Sequence, residues 1–275
     1  MTIRFVVGPY APRSLPEHLQ TDIMASNPAS LCCVTGFKHE GDPQGKSFAF
    51  ESIDAYLAEA SGQNVHQNTA ILLMPDVIGI WQNSKLMADQ FAANGYTTLL
   101  VDLFNKDPLP LNRKPDFDFR AWHDKGSSGD NPHTFEFVDP IIEKSIAYLR
   151  ERGFTKIGGV GYCFGAKYVT RFLASGKGLH VGYVAHPSFV TEEELANIKG
   201  PFSISAAEID EIFPADMRRK SEEILIQTGQ PFQINLFGSV SHGFAVRCDV
   251  SKKIERFSRE QAFMQAVVWM NEYLL

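Results

Sequence analysis

Short apolar runs alternate with amphipathic stretches along most of the chain. Each run has the length of a buried strand, and most are followed by a stretch whose apolar residues recur three and four positions apart, as on one face of a helix. The predicted strands are residues 70–74, 97–101, 156–161, 180–185, 202–206 and 232–237. The predicted helices are residues 84–93, 136–150, 165–174, 215–228 and 259–273. This order is typical of an α/β fold with a mostly parallel central sheet and helices on both faces.

Three segments depart from the alternation. Residues 46–57 have the pattern of two short edge strands that enter the sheet antiparallel. Residues 103–134 are rich in proline and follow a strand at the edge where such sheets bind ligands, so we expect a functional or mobile loop there. Residues 1–30 are aperiodic and predict an N-terminal arm, which leaves residues 31–275 as a single domain.

Composition argues against several classes of function. The 275 residues are 44% hydrophobic and 21% charged, as in an ordinary globular protein. The net charge of -6, without a long Lys/Arg run, argues against nucleic-acid and membrane partners. No apolar stretch has the length of a membrane helix, and the N-terminus is proline-rich where a signal peptide would be apolar. We therefore expect a cytoplasmic protein.

The four cysteines predict neither a disulfide framework nor a metal centre. They are too few for a chain of this length to be a disulfide scaffold, and Cys32 and Cys33 are adjacent, a spacing that zinc sites rarely use. The pair His39-Glu40 lacks the second histidine of a zinc HExxH motif, because Pro43 stands in its place. We therefore expect no metal.

The segment from Lys156 to Tyr168 carries the clearest chemical signal. It has the form of a strand, then Gly161-x-Cys163-x-Gly165, then a helix, which is the nucleophile elbow with cysteine in place of serine. Such a turn is strained, and the two glycines give it room. The start of the helix favours a thiolate on Cys163. The alternatives are a buried structural cysteine and a dinucleotide-binding loop, but the latter has the wrong glycine spacing and no acidic residue follows it before Glu192.

A nucleophile of this type requires an acid and then a histidine later in the chain, each after a strand. Asp210 follows a predicted strand and could hold an imidazole in one tautomer, with Glu208 and Glu211 as competitors. His242 lies in a Gly/Ser loop after the last predicted strand, and it is the one histidine of eight in such a position. Order and spacing together favour Cys163, Asp210 and His242 as a catalytic triad.

On these residues the chain resembles the dienelactone hydrolase family, and in detail its fungal-type members, from Cys32 to the C-terminus. The motifs that carry the resemblance are Cys32-Cys-Val-Thr-Gly-Phe-Lys-His-Glu-Gly41, Gly161-Tyr-Cys-Phe-Gly165, Asp210-Glu-Ile-Phe-Pro214 and His242-Gly-Phe244 followed by Arg247. The resemblance implies an α/β-hydrolase fold without a separate cap domain. It also implies hydrolysis of an enol lactone or similar small-molecule lactone by a Cys-His-Asp triad, without a cofactor.

Further roles follow from the same resemblance. It implies an oxyanion hole formed by the backbone N–H groups of Val77 and Phe164. Bacterial members have a glutamate that helps to form the thiolate, and here Asp76 stands in its place, one methylene shorter. Arg247 is expected to bind a substrate carboxylate, although its spacing from the histidine differs by one residue from the bacterial pattern. Trp122, in the irregular segment, is a further candidate for a substrate contact.

Three alternatives stay open at this point. The substrate could be an open-chain thioester or carboxylic ester instead of a lactone. The chain could also be a ligand-binding protein that keeps the fold without the chemistry, because fold alone does not decide function. Finally, Cys163 could serve a redox role with Cys248 as its partner.

Overall fold

A single mixed sheet organises the computed structural model, which describes residues 22–114 and 116–275. Its strands are β1 Lys46–Phe50, β2 Ile53–Ala58, β3 Thr69–Met74, β4 Thr97–Val101, β5 Lys156–Tyr162, β6 Val181–Ala185, β7 Phe202–Ile209 and β8 Phe232–Ser241. Their order is β1-β2-β4-β3-β5-β6-β7-β8. The six strands from β4 to β8 in this order are parallel, whereas β1 and β2 pair antiparallel at one edge.

Helices cover both faces of the sheet, as the alternating pattern predicts. They are α1 Gln82–Ala93, α2 Phe119–Lys125, α3 Phe135–Glu151, α4 Phe164–Phe172, α5 Glu192–Ala196, α6 Ala215–Thr228, α7 Phe244–Arg247 and α8 Lys253–Tyr273. Apolar side chains of α3, α4, α5 and α6 share one core cluster, and those of α1, α7 and α8 share the other. Because parallel strands are buried on both faces, every residue of β3 is buried.

The α/β class and the predicted strands and longer helices are confirmed, with differences at their ends. Strands β7 and β8 run to Ile209 and Ser241 because they continue to pair with each other beyond the body of the sheet. Helix α8 begins at Lys253, earlier than predicted. The prediction that residues 103–134 form one irregular loop is wrong, because α2 lies within them. That helix is too short for its periodicity to be detected in the sequence.

The N-terminal prediction is only partly within the described residues, since residues 1–21 lie outside them. The described part of residues 1–30 runs along the loops that follow β6 and β7. There Ala25 N–H donates to the carbonyl oxygen of Val190 at 2.8 Å, and Asn27 N–H donates to that of Ile212 at 2.7 Å. The boundary between an arm and a single domain at residue 31 stays a prediction.

No helix in residues 22–114 and 116–275 is both long enough and apolar enough to cross a membrane.

Candidate active site

Cys163 occupies a strained turn between β5 and α4. Its backbone φ is +51°, in the left-handed region, and the helix begins at the next residue. Close packing requires glycine on both sides. A Cβ atom on Gly161 would lie 2.6 Å from the Gly165 carbonyl oxygen, and one on Gly165 would lie 2.1 Å from that of Met74. The turn therefore has the geometry of a nucleophile elbow, with the sulfur at the start of a helix.

Asp210 and His242 form a buried pair at the same edge of the sheet. They follow β7 and β8, and His242 Nδ1 lies 3.0 Å from Asp210 Oδ2 and 3.1 Å from Oδ1. The N–H groups of Ile212 and Phe213 donate to Oδ1 at 2.8 and 3.0 Å. The carboxylate is thus fixed in place, and it holds the imidazole with Nδ1 toward Asp210 and Nε2 free for another partner.

Glu208 and Glu211, the competing acids in the sequence, do not contact this imidazole. The Glu208 carboxylate is on the exposed end of β7, where it accepts the N–H of Ser239 at 2.6 Å. The backbone carbonyl of Glu211 accepts Asn27 Nδ2 at 2.9 Å. Asp210 is therefore the acid that the fold brings to His242.

A second cysteine lies beside the elbow. Cys33 belongs to a 3-10 turn, Leu31–Cys33, within residues 30–36, which we call the strap. Its Sγ lies 3.4 Å from His242 Nε2. Cys33 and Cys163 are both 0% exposed.

Side chains from distant parts of the sequence hold the strap in place. Arg247 donates to the carbonyl oxygens of Cys32 and Thr35 at 3.3 and 3.4 Å. Asn112 Nδ2 donates to the Gly36 carbonyl at 3.0 Å, and its Oδ1 accepts the Gly36 N–H at 3.0 Å. The position of Cys33 is therefore determined by tertiary contacts.

The electrostatics favour a thiolate and an imidazolium. Burial raises the pKa of Cys163, but the hydrogen bond from Cys33, the charge and hydrogen bond of His242 and the charge of Arg247 outweigh burial and hold that pKa well below its ordinary value. Burial lowers the pKa of His242, but the charges of Cys163 and Asp210 and their hydrogen bonds raise it to about 10. Between these two pKa values, Cys163 is ionised and His242 is protonated.

Asp76 faces an arginine in this structure. Arg247 donates to Asp76 Oδ2, and the N–H of Ile78 donates to Oδ1 at 3.1 Å. Both side chains of this ion pair are buried. Burial raises the pKa of Asp76, the charge of Arg247 opposes that rise, and the thiolate of Cys163 adds to it. The predicted roles of Asp76 in thiolate formation and of Arg247 in substrate binding stay predictions.

Two backbone N–H groups beside the elbow lack a hydrogen-bond acceptor in the described part of the chain. Gly165 N–H donates to the Pro75 carbonyl at 3.1 Å, which holds the start of α4 against the loop after β3. The N–H groups of Val77, in that loop, and of Phe164, the first residue of α4, have no acceptor among residues 22–114 and 116–275. These are the two donors that the family resemblance implies.

Trp122 is buried behind the elbow. Its ring lies 5.4 Å from that of Phe104 and 6.3 Å from that of Phe164, measured between centroids, and its Nε1 donates to the Asp107 carbonyl at 3.1 Å. It packs on the residue next to the nucleophile. Its role as a substrate contact stays a prediction.

Two further polar residues follow β6 and were not predicted from the sequence. Ser188 Oγ lies 3.5 Å from Cys163 Sγ, and Ser188 N–H donates to the Cys163 carbonyl at 3.1 Å. The His186 ring is edge-on to that of His242 at 4.9 Å, and neither of its nitrogen atoms has a partner among the described residues. Burial, followed by the charges of His242 and Arg247, holds the pKa of His186 well below its ordinary value. It is therefore neutral beside the charged His242.

The sulfur atoms and the imidazole also resemble a metal-ligand set. Cys32, Cys33 and His242 place potential ligand atoms within 4.8 Å of one another. However, Asp210 engages Nδ1 of the histidine, Nε2 faces Cys33, and adjacent cysteines rarely bind one zinc ion. We interpret this group as a hydrogen-bonded network and assign no metal ligand in it.

Comparison with known proteins shows which family the chain belongs to. The model of the dienelactone hydrolase family matches residues 53–274. The chain belongs to the dienelactone hydrolase family. The hydrolase pyvD of Aspergillus violaceofuscus is 46% identical over 253 residues, which cover 91% of this chain and 99% of that relative. Dienlactone hydrolase 1 of Gibberella moniliformis is 35% identical over 259 residues, 92% of this chain and 97% of the relative.

Solved structures agree with this membership at the level of the fold. The dienelactone hydrolase-like phosphotriesterase P91, from metagenomic libraries, superposes with a TM-score of 0.66 at 12% identity, over 84% of this chain and 99% of its own. The α/β-hydrolase fold implied by the family resemblance is thereby confirmed.

Cys33 was not among the site residues predicted from the sequence. The motif that begins at Cys32 carries part of the resemblance, but nothing in the sequence assigns it a place at the elbow. The redox alternative named Cys248 as the partner of Cys163. In the described residues Cys248 makes no hydrogen bond to Cys163. The cysteine that lies beside His242 is Cys33.

Proposed function

We propose that this member of the dienelactone hydrolase family hydrolyses a lactone, enol lactone or related carboxylic ester by covalent catalysis at Cys163. The observation that carries the proposal is the imidazole of His242, fixed by Asp210 at 3.0 Å beside a cysteine whose pKa is depressed at a strained elbow. A thiolate is the reactive form of cysteine, and an adjacent oriented imidazole is the base that such a nucleophile requires.

The first half of the reaction forms an acyl-enzyme. The Cys163 thiolate attacks the carbonyl carbon, and the N–H groups of Val77 and Phe164 bind the oxygen that becomes negatively charged. Donors of this kind contribute about 3 kcal/mol each to the transition state. When the tetrahedral intermediate collapses, the C–O bond breaks, the protonated His242 gives its proton to the leaving oxygen, and a thioester remains on Cys163.

The second half restores the enzyme. Neutral His242 takes a proton from a water molecule as that water attacks the thioester carbonyl. The C–S bond then breaks, Cys163 leaves as a thiolate, His242 keeps the proton, and the carboxylic acid is released. These steps need no cofactor. Asp210 stays ionised throughout and keeps the imidazole in one orientation.

Arg247 and Trp122 are proposed to act on the substrate. Arg247 is a buried cation whose charge lowers the pKa of Cys163, and it would bind a substrate carboxylate in exchange for its present partner, Asp76. Trp122 lines the wall behind Phe164 and would limit the size of the acyl group.

The test is hydrolysis of a panel of enol lactones, saturated lactones, aryl esters and acyl thioesters by the unmodified protein and by three variants. Cys163→Ala should lower kcat/KM by at least about 10⁴-fold, because the covalent step is lost. Cys163→Ser keeps the shape but loses the ionised nucleophile, and should retain little activity. Cys248→Ala removes a cysteine that takes no part and should leave the rate unchanged.

The panel also decides between substrates. Preference for open-chain thioesters or esters over every lactone would favour the alternative substrate class. Hydrolysis that persists in Cys163→Ala would refute the proposal. A protein that binds lactones without turning them over would instead be a ligand-binding member of the family.

A further inference from the structure

Ser188 has no part in the reaction described above, although its side chain lies beside the proposed nucleophile. Its Oγ forms a hydrogen bond of 3.5 Å with Cys163 Sγ, and the residue is 0% exposed. Among the described residues, that sulfur is the only hydrogen-bond partner of the Ser188 hydroxyl. Buried hydroxyl groups are hydrogen-bonded with few exceptions, because an unpaired one costs free energy. The hydroxyl of Ser188 is therefore committed to the sulfur of Cys163.

The direction of this hydrogen bond follows from the charge of the sulfur. The electrostatics described above favour a thiolate on Cys163, and a thiolate has no proton to donate. A serine hydroxyl carries one proton and can rotate it toward an acceptor within reach. Ser188 is therefore the donor and Cys163 the acceptor. A hydrogen bond to the ionised form of a group stabilises that form, so this contact favours the thiolate over the thiol.

Two backbone hydrogen bonds join the loop after β6 to the elbow. Cys163 N–H donates to the Ala185 carbonyl at 3.2 Å, and Ser188 N–H donates to the Cys163 carbonyl at 3.1 Å. Both backbone polar groups of Cys163 are thus paired with this one loop. These contacts fix the position of the Ser188 hydroxyl relative to the sulfur.

The same loop is strained on either side of Ser188. The backbone φ is +39° at His186 and +62° at Phe189, in a region that residues other than glycine seldom adopt. Such conformations cost free energy and persist only where the surrounding structure holds them. Here the N–H of His186 donates to the Ser205 carbonyl at 2.9 Å, and that of Phe189 donates to the Asn27 carbonyl at 3.0 Å. Strain of this kind clusters at functional sites, which supports a role for the serine that it flanks.

We propose that Ser188 is a further catalytic residue, whose hydroxyl donates a hydrogen bond to the Cys163 sulfur and stabilises its thiolate in the substrate-free protein. The strained loop after β6 positions that hydroxyl. The catalytic importance of the hydrogen bond rests on the proposed function, in which the thiolate is the attacking group. The hydrogen bond itself belongs to the free protein and depends on no substrate.

Several titratable and charged groups also act on Cys163, from the strap, the loop after β3, the loop after β8 and α7. They are Cys32, Cys33, Asp76, His242 and Arg247. Behind them, Asp210 pairs with His242, and His186 lies beside the same ring and is neutral. Ser188 differs from all of these groups because its hydroxyl does not titrate. Its replacement therefore leaves the net charge of the site unchanged.

The test measures the pH dependence of Cys163 alkylation by iodoacetamide under reducing conditions, with the labelled peptide quantified by mass spectrometry. The thiolate is the reactive form, so the midpoint of the profile reports the pKa of Cys163. Ser188→Ala removes the donor and destabilises the thiolate, so the midpoint should rise by at least about 0.5 pH units. Ser188→Gly also lacks the donor and should give a similar rise. Ser188→Thr keeps a hydroxyl and should recover at least half of it.

Ser145→Ala is the matched control. Ser145 is also 0% exposed, but its Oγ donates to the Ile141 carbonyl at 2.7 Å within α3. This variant loses a buried hydroxyl away from the elbow and should keep the original midpoint. The midpoint is compared instead of the rate, because a smaller side chain at position 188 also changes access to the sulfur.

An unchanged midpoint in the variants without the donor would overturn the proposal. A Ser188→Thr variant that matches Ser188→Ala would overturn it as well, because loss of the hydroxyl would then not be the cause of the rise. Ser188→Gly keeps the test decisive if Ser188→Ala does not fold. Alkylation needs no substrate, so a protein that hydrolyses nothing on the panel still gives the profile, and failure of the proposed function is seen separately.

Discussion

The imidazole of His242 has a different partner at each nitrogen atom. Nδ1 faces the carboxylate of Asp210, and Nε2 faces the sulfur of Cys33. His186, the neighbouring ring, is neutral and adds no second positive charge. The orientation and the charge of the proposed base are therefore set by individual side-chain contacts.

Replacing Asp210 with asparagine tests this arrangement. Asp210→Asn keeps the shape but removes the charge that fixes the imidazole, and kcat should fall on the order of 10³- to 10⁴-fold. The pKa of His242, about 10 with Asp210 in place, should also fall, because a negative charge that raises it is lost. Steady-state hydrolysis and an NMR titration of the histidine measure the two effects.

Glu208→Gln is the matched control, because this acid lies two positions away, also at the end of β7, but contacts Ser239 and not the imidazole. It should leave kcat within about twofold of the original, as an exposed surface change does. Equal losses in both variants would contradict the assignment of Asp210.

The sequence predicted the members of this site that follow strands. Cys163, Asp210 and His242 each come directly after a strand. Their positions in the sequence therefore indicate that they lie at the same edge of the sheet. Cys33 carries no such signal, because it lies in an aperiodic turn that reaches His242 across 209 residues of sequence. His186 also follows a strand, but nothing in the sequence around it indicates that its ring packs against that of His242.

The connection between β5 and α4 is the element that places the proposed nucleophile, Cys163. Gly165→Ala would put a Cβ atom 2.1 Å from the Met74 carbonyl oxygen, so α4 has to move away from β3. We expect a loss of unfolding free energy of about 1–3 kcal/mol or more, together with lower activity, because the proposed oxyanion donors separate. Urea unfolding and hydrolysis measure the two effects.

Gly238→Ala provides the comparison, since a Cβ atom there meets only the flexible carboxylate of Glu208 at 3.6 Å. It should leave both measurements near their original values. A Gly165→Ala variant as stable and active as Gly238→Ala would show that the close approach of α4 to β3 is not required.

Periodicity predicted the long elements and missed the short ones. Helices α2, α5 and α7 have seven, five and four residues, too few to show an apolar stripe. Local capping and burial stabilise them instead. Asp118 accepts the N–H of Ala121 at 2.9 Å at the start of α2, and Trp122 in that helix is buried.

Across the whole molecule, the buried ion pair between Asp76 and Arg247 joins β3 to α7 and, through the strap, to the N-terminal segment. Asp76→Asn would leave the guanidinium buried without its partner. We expect a loss of about 3–5 kcal/mol in the free energy of unfolding, read from urea denaturation.

The exposed pair of Lys106 and Asp54, 3.6 Å apart, supplies the control. Asp54→Asn should cost no more than about 1 kcal/mol, because water screens such pairs. If Asp76→Asn costs no more than this control, the buried pair does not hold the strap. The pairing of Asp76 with Arg247 was not predicted from the sequence. The two residues are 171 positions apart, and a local sequence pattern does not indicate contacts between such distant residues.

The contact between Cys33 and His242 has a consequence for biosynthesis. Its two residues leave the ribosome 209 residues apart, so the strap is made long before the histidine that it meets. A contact of such separation cannot form until the later residue has been made. A truncated chain that ends before β8 lacks His242, whose charge lowers the pKa of Cys163, so we expect its Cys163 to be a less acidic thiol.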